Sequence, residues 1–550
     1  MSEVDSTTEV NTTELPQAVQ ANLDLVADKM FRFSWLPLQG AQFYRILENP
    51  DGVSGFSQIS NDIEAASQYY DHRVALYNRI NARYIVQACN ANACVDSDEL
   101  IVTGSLESAV GFVKSENSSR HSTFGGPVSL SADGNTLALG APRESDSRDG
   151  AVYVFEHVDG KWRQEARLKA SNADPGDLFG HALSLSADGN SLAVGAITER
   201  SAATGVNGDQ NDNSLFNSGA VYVFVRSNGG WQQQAYLKAS NTDQSDSFGG
   251  VVRMNFDGNT LAVGASGESS ASIGIDGNQS DNSARGNGAV YLFVRNDGVW
   301  LQQAYLKAID STVNKGFGSS VALSASGSTL AVGHPGSVHL FERGTNGWVQ
   351  QEHLQASILG MHGSAGSAVG LSGDGNTLVV GAPFEYSPAT GINGNQHDSY
   401  PVEPTSYRGA GAAYVFVRSN ESWQQEAYVK ASNTDLGDEF GYQVTLSEDG
   451  NTLAVSAPRE RSLATGLNGD QIDNSGGVEG AVYLYVRDSG SWLQRAYIKS
   501  TNREFDGPFG TRQISLSADG DTLAVGSAFY DTEEDEMFGD KKRFAGAYIY

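Results

Sequence analysis

Four stretches of this chain set oxygen-bearing side chains at alternating positions among glycines, a spacing that could wrap a hard cation. They read Gly205-Val-Asn-Gly-Asp-Gln-Asn-Asp-Asn-Ser214, Gly274-Ile-Asp-Gly-Asn-Gln-Ser-Asp-Asn-Ser283, Gly391-Ile-Asn-Gly-Asn-Gln-His-Asp-Ser399 and Gly466-Leu-Asn-Gly-Asp-Gln-Ile-Asp-Asn-Ser475. Calcium takes about six to eight such oxygens. On that reading Ca2+ is the candidate ion. Its ligands would be drawn from Asn207, Asp209, Asp212, Asp276, Asp281, Asn393, Asp398, Asn468, Asp470 and Asp473. One position argues against it: Asn211 is replaced by Ser280, His397 and Ile472 in the other copies, which a ligand position should not tolerate. The competing reading is structural. Asn and Asp beside Gly form Asx-turns, which would fold each stretch back on itself. No other cofactor is called for.

Catalytic patterns are sparse. The nine histidines are scattered, with no HExxH, and no Gly-x-Ser-x-Gly sits at a strand–turn–helix. Gly286-Asn-Gly288 and Gly409-Ala-Gly411 lack the following helix of a nucleotide loop. Carboxylates are plentiful, so a glycosidase-type pair stays open until distances are known. Cys89 and Cys94 are the two cysteines. They flank an expected hairpin, across which a disulfide can form; a metal or redox pair is the alternative. A disulfide would point to an oxidising compartment.

The elements that must position these residues are repeats. A turn-and-strand phrase like Asp188-Gly-Asn-Ser-Leu-Ala-Val-Gly195 begins at Asp133, Asp188, Asp257, Ser326, Asp374, Asp449 and Asp519. A full unit supplies four strands: Phe179 to Leu185, Leu192 to Ala196, Gly219 to Val225 and Trp231 to Lys238. Asp-Gly supplies the tight turn between the first two. Seven four-stranded units predict an all-β fold, a seven-bladed β-propeller over 106–550. The last unit ends at Gly546-Ala-Tyr-Ile-Tyr550, one strand short. Phe112-Val-Lys-Ser115 matches Tyr497-Ile-Lys-Ser500, so an N-terminal strand should complete the last blade and remove an open edge. A Trp recurs at 162, 231, 300, 348, 423 and 492, expected to pack blade against blade, with carbohydrate stacking as the other use.

Before the repeats, residues 22–105 alternate apolar and polar side chains, as in Phe31-Arg-Phe-Ser-Trp35 and Ala82-Arg-Tyr-Ile-Val-Gln-Ala-Cys89, and predict a small β-sandwich. Residues 1–21 are polar and aperiodic, the composition of a disordered leader or tether. The formal charge is −29, which repels nucleic acid phosphates. No apolar run is long enough to cross a bilayer, and no signal peptide is legible at Met1-Ser-Glu-Val-Asp5.

Two family resemblances add to this. Trp35, Tyr44-Arg45 and Tyr84-Ile-Val-Gln-Ala88 resemble a fibronectin type III domain, in which Tyr84 would be the corner tyrosine binding nearby backbone. Phe124-Gly125, Gly140-Ala-Pro142 and Gly150-Ala-Val-Tyr-Val-Phe155 resemble the FG-GAP repeats of integrin α-subunit propellers and of bacterial secreted proteins. Gly-Ala-Pro recurs at 381–383. That resemblance covers about 106 to 550. It implies a surface or secreted binding protein, but its calcium loop does not carry over to Asp133 or Asp188. Here the loop is only Ser-Ala-Asp-Gly-Asn, too short to supply the ligands.

In a propeller the strand two–three and four–one connections share one face. The long inserts (about 197–218, 266–287, 383–410 and 458–479) therefore belong together. So do the acids Asp174, Asp177, Asp243, Asp246, Asp435 and Asp438. The fourth unit has only Gly333-His-Pro-Gly336 at that place, which should leave a notch beside His334. The candidate binding face comprises Asp209, Asp212, Asp243, Asp246, Asp276, Asp281, His334, Asp398, Asp470 and Asp473. The expected function is a non-catalytic, exported or cell-surface binding or adhesion protein with a protein or glycan partner. The alternatives are a carbohydrate-active enzyme using carboxylates on that face, and a structural subunit of a surface assembly. Its place would be extracellular, cell-surface or periplasmic.

Overall fold

The computed structural model describes residues 15, 18–102, 106–114, 123–145, 147–227, 230–309, 316–355, 364–397, 408–501, 509–527 and 546–550. The expected leader falls largely outside them, and so does Asp398. The described chain is all-β with two short 3-10 turns. It forms two compact units, one of residues 1–111 with Tyr550 and one of 112–549.

The first unit holds two antiparallel sheets. One pairs Ala21–Ala27, Met30–Trp35 and Tyr69–Arg73; the other is built on Phe43–Asn49 and Arg83–Cys89. Alternation buries every second residue of Met30–Trp35 and of Phe43–Ile46, and backbone pairing starts at Val19, which bridges Ser97. Phe31 and Phe33 pack on Tyr84 with ring centroids 5.9 and 5.0 Å apart. Tyr84 corrects an expectation: its hydroxyl is buried and makes no backbone hydrogen bond among the described residues. Burial raises its pKa, and it faces the Glu48–Arg79 ion pair. The backbone contact comes instead from Tyr44, whose hydroxyl oxygen accepts the Leu38 N–H at 2.8 Å. Cys89 and Cys94 are cross-strand partners joined by a disulfide.

The second unit is a seven-bladed β-propeller of four-stranded antiparallel sheets. Blade 2 is representative: Phe179–Leu185, Ser191–Ala196, Ala220–Ser227 and Gly230–Leu237. Blade 7 takes its outer strand, Gly111–Val113, from ahead of the first repeat; it lies beside Gly546–Ile549. The ring closes through backbone hydrogen bonds at the strand one–two turns. The N–H of Ala132 donates to Ala187 O, Ala187 to Phe256, Phe256 to Ala325, Ala325 to Gly373, Gly373 to Glu448, Glu448 to Ala518, and Ala518 back to Ala132, at 2.7–3.0 Å. That circle marks the turn face. The antiparallel strands put the inserts at the opposite end.

Apolar side chains fill the space between neighbouring blades. Ala138, Val152, Val154 and Leu168 of blade 1 share one cluster with Phe179, Leu183, Val194 and Tyr222 of blade 2. The Phe of Phe-Gly packs edge-on against its own strand three, Phe179 lying 5.4 Å from Tyr222. The recurrent Trp takes the packing role. Strand four of blades 1 to 6 carries a β-bulge that leaves one residue unpaired and re-aims it. In blades 1, 2, 3 and 5 that extra residue accepts the indole N–H of the next blade's Trp, Gln303 taking that of Trp348 at 3.1 Å. Gln234 takes the Trp300 indole N–H at 3.0 Å, and Glu426 that of Trp492 at 2.8 Å. Glu165 of blade 1 takes that of Trp231 at 3.2 Å.

Where blades touch most closely only glycine fits. Gly219 has φ +80°, and a Cβ there would lie 2.1 Å from the carbonyl oxygen of Phe248 in the next blade. Gly219→Ala should destabilise the propeller by more than the ~1–2 kcal/mol of the left-handed backbone alone, because the collision is with main chain. Urea unfolding checks this. A loss under about 1 kcal/mol would mean that the blade junction yields.

Candidate functional site

Each insert is held by its own side chains against the outer strand of its blade. Asn207, at φ +55°, donates its N–H to Tyr236 O at 2.7 Å and accepts the Tyr236 N–H on Oδ1 at 3.0 Å. Asp276, Asn393 and Asn468 do the same for Tyr305, Tyr428 and Tyr497. Asn and Asp serve equally because both tolerate positive φ and both offer one acceptor oxygen. The next oxygen makes an Asx-turn: Asp209, Asn278, Asn395 and Asp470 accept the N–H of Asn211, Ser280, His397 and Ile472 at 2.9–3.1 Å. The variable position contributes only its backbone, which is why Ile472 is acceptable there.

The steadier acids tie the limbs of the insert. Asp212 Oδ2 accepts the Ala202 N–H at 2.7 Å, and its Oδ1 the Ser214 N–H at 3.0 Å. Asp473 repeats this with Leu463 and Ser475, and Asp281 accepts from Ser283. Asn213, Asn282 and Asn474 then donate to Asp174, Asp243 and Asp435 in the preceding four–one connection. These three inserts thus clasp the connection from the preceding blade.

The predicted site residues divide accordingly. Asp209, Asp276 and Asp470 are exposed on the insert face, with Asp212, Asp243, Asp281 and Asp473 half-buried. Asp246 and His334 are 1 % exposed, so they lie beneath the face rather than on it. The cation candidates are spread along turns: no group of three His, Cys, Asp or Glu among the described residues is placed to hold a metal. The Asp-Gly turns on the other face are likewise structural. Asp188 Oδ1 accepts the Ser186 hydroxyl at 2.5 Å and the Asn190 N–H at 2.9 Å.

Comparison with known proteins is consistent with this repeat architecture. Residues 162–224 and 423–485 match the profile of a family described as the FG-GAP repeat. Those two segments carry the FG-GAP repeat. No curated protein matches it. A solved structure described as a 6-phosphogluconolactonase from Bacteroides uniformis shares 10% identity at a TM-score of 0.40, over 84% of this chain and 98% of that one. Likeness at that level carries no argument here.

Both matched FG-GAP segments run from the Trp of one blade's outer strand to strand three of the next blade. The repeat is therefore offset from the blade by one strand. Under the inserts, each such junction buries a polar layer that the sequence reading missed. Glu268 accepts from Tyr305 Oη at 2.8 Å and from Lys307 Nζ at 2.5 Å. Asn241 donates to it at 3.1 Å and accepts from Tyr291 Oη at 2.6 Å. Glu199–Lys238, Glu385–Lys430 and Glu460–Lys499 are the equivalent pairs. The signal was present: a Glu stands three residues after the Ala of each Gly/Ser-Ala at 195, 264, 381 and 456, and a Lys seven after each matching Trp. Blade 4 replaces this layer. His334, His339 and His353 stack there, with centroids 5.5 and 4.2 Å apart. Burial and the neighbouring histidines push His339 down to about 2, so that ring is neutral.

Asp246 sits beside this layer. Its Oδ2 accepts the Asp243 N–H at 2.8 Å, while Oδ1 has no hydrogen-bond partner among the described residues. Burial, and then the charges of Glu268 and Asp243, raise its pKa to about 7 against the pull of the Asp243 N–H and of Lys238. Asp177 and Asp438 are raised to about 6 and about 7, with burial again the largest cause. A carboxyl raised in the folded state keeps its proton where the unfolded chain has lost it. Its contribution to stability is full below the unfolded value, about 4, and is lost as pH climbs through about 7. Asp246→Asn keeps an acceptor oxygen without the charge. Relative to the parent, its stability should rise between about pH 4 and 7 and then level off. Urea midpoints at about pH 4.5, 6 and 8 read this difference; a flat difference would refute the buried acid.

Proposed function

We propose that this FG-GAP repeat protein is a non-catalytic binding or adhesion protein that engages a protein or glycan partner through its insert-bearing face. The observation that carries the reading is the repeated bracing of the inserts. Exposed acids such as Asp209, Asp276 and Asp470 stand on loops already fixed by side-chain-to-backbone hydrogen bonds and by clasps to the preceding four–one connection. A preorganised surface loses little entropy on binding, and functional residues concentrate on loops set on rigid scaffolds. Blade 4 turns through Pro335-Gly336 alone, because His334 pairs directly with Ser337. The notch expected there is the proposed docking position. Among the described residues no Asp or Glu lines the axial cavity around Arg253, and Glu448 stands alone at the axial mouth on the turn face, which supports binding over a glycosidase-type carboxylate pair on the axis.

The disulfide supports an oxidising compartment, extracellular, cell-surface or periplasmic. No helix among the described residues is long and apolar enough to cross a membrane. In this reading the first unit is a fibronectin type III-like spacer. Its division into a sheet of three strands and a larger one centred on Phe43–Asn49 and Arg83–Cys89 supports that.

The test compares Asp209→Lys/Asp470→Lys with Asp488→Lys, at the strand three–four turn of the opposite face, on a glycan array and in cross-linking to candidate surface proteins. The insert-face pair should lose partner binding at least tenfold with Asp488→Lys unchanged. The reverse result would overturn the assignment. Calorimetry with calcium addresses the cation reading separately: a saturable heat supports ions in the inserts, and none removes them.

A further inference from the structure

The axial channel carries a second signature, unrelated to the inserts. Strand one of the blades faces the axis, and its side chains enclose a cavity of about 200 Å³. At ~30 Å³ per water that is room for roughly half a dozen waters. His181, Arg253 and Arg512 line it, among Ser319, Ser367, Tyr442 and Gln443, and no Asp or Glu among the described residues does. This is a cationic pocket inside a protein of net charge −29.

Arg253 is the anomaly. Blade 2 has Ser184 at the corresponding strand position, and its hydroxyl accepts the Met254 N–H at 2.9 Å. Blade 1 has Ser129, which accepts from Leu185 at 3.0 Å. Arg253 gives up that blade-to-blade bond, and its guanidinium donates to the Val252 carbonyl at 2.9 Å. Burial alone lowers its pKa, to about 10. Burial also lowers Arg512, helped by Arg143 and opposed by Tyr442. His181 is lowered to about 4 by burial and by the charges of Arg512 and Arg143. Arg253 is half-buried and has no ion pair among the described residues, and a desolvated guanidinium without a counter-ion is unfavourable. Two guanidinium groups converging on one cavity concentrate a positive potential there.

We propose that the axial channel binds a small, multiply charged oxyanion of the phosphate class, with Arg253 and Arg512 supplying charge and His181, Tyr442 and Ser319 neutral hydrogen-bond donors. Guanidinium groups match the oxygens of such anions in pairs. The site is independent of the proposed partner face and fails or stands separately from it.

The test uses the full chain and inorganic phosphate, titrated at ionic strength held constant with chloride, by calorimetry and thermal shift. The expected result is saturable binding that Arg253→Gln and Arg512→Gln each weaken at least tenfold, with exposed Arg163→Gln unchanged. Ser319→Asp places a carboxylate in the same cavity. It should abolish the phosphate response and raise the melting temperature of the anion-free protein, so the proposal stays testable if an Arg variant folds poorly. Sulfate replacing phosphate with similar affinity would show that charge and shape are what is read. Salt exclusion from the surface stabilises without saturation and equally in all variants; that pattern would overturn the proposal. So would saturable binding that neither Arg variant nor Ser319→Asp changes.

Discussion

Lys238→Met should lower the unfolding free energy of the propeller by about 3–5 kcal/mol, because it leaves Glu199 as an uncompensated interior charge. Lys238 and Glu199 side chains are 0% and 1% exposed. The Lys238 Nζ donates to Glu199 Oε2 at 2.9 Å, Ser218 Oγ at 2.8 Å and Gly219 O at 2.7 Å. Three acceptors satisfy the three N–H bonds of an ammonium, although burial pulls its pKa down against the opposing effect of Glu199. Glu199 also accepts from Tyr236 Oη and the Ser201 N–H. Pairing Lys238→Met with Glu199→Leu should recover much of the loss, since apolar replacement of a whole buried pair is often neutral. Urea unfolding of both variants is the measurement. A single-variant loss below about 1 kcal/mol would mean that water reaches Glu199.

The second large effect is expected at the ring closure. Val113 is 3% exposed and packs with Phe124, Ala547 and Ile549, while Phe112 meets Tyr548 with centroids 4.8 Å apart. Phe112 thereby fills the place held in blade 2 by Tyr236, which lies 5.3 Å from Tyr222. Val113→Asp puts a carboxylate into that core. It should destabilise blade 7 by about 3 kcal/mol or more and free Gly546–Ile549 as an edge open to other chains. Hydrogen exchange should show lost protection at those four residues, and light scattering should show association. Unchanged protection at Gly546–Ile549 would mean that the N-terminal strand does not hold the blade.

The offset between repeat and blade explains how the closure was legible. A repeat that begins on strand four leaves one outer strand over at the start of the array and the last blade one strand short at its end. Matching Phe112-Val-Lys-Ser115 to Tyr497-Ile-Lys-Ser500 was enough to bring the ends together. The Asx-turns of the inserts were legible too, because Ile472 at a supposed ligand position is incompatible with an oxygen donor but not with a backbone N–H. The corner tyrosine was not. Tyr44 and Tyr84 both sit on buried strand positions, and sequence alone cannot say which hydroxyl meets the Leu38 N–H.

The sequence by itself determined the strand count, the seven-fold repetition, the borrowed outer strand and the face bearing the inserts. Period-two alternation and turn chemistry are local properties. Tertiary structure alone decided which polar residues go inside. Asp246 and Asp209 both read as surface acids, yet one is buried beside Glu268 and the other stands in solvent. Arg253 reads as one more charged residue on a strand, yet ring closure turns it toward the axis with Arg512, more than two hundred residues away in the chain. Burial and convergence are set by the neighbouring blade, which no single repeat encodes.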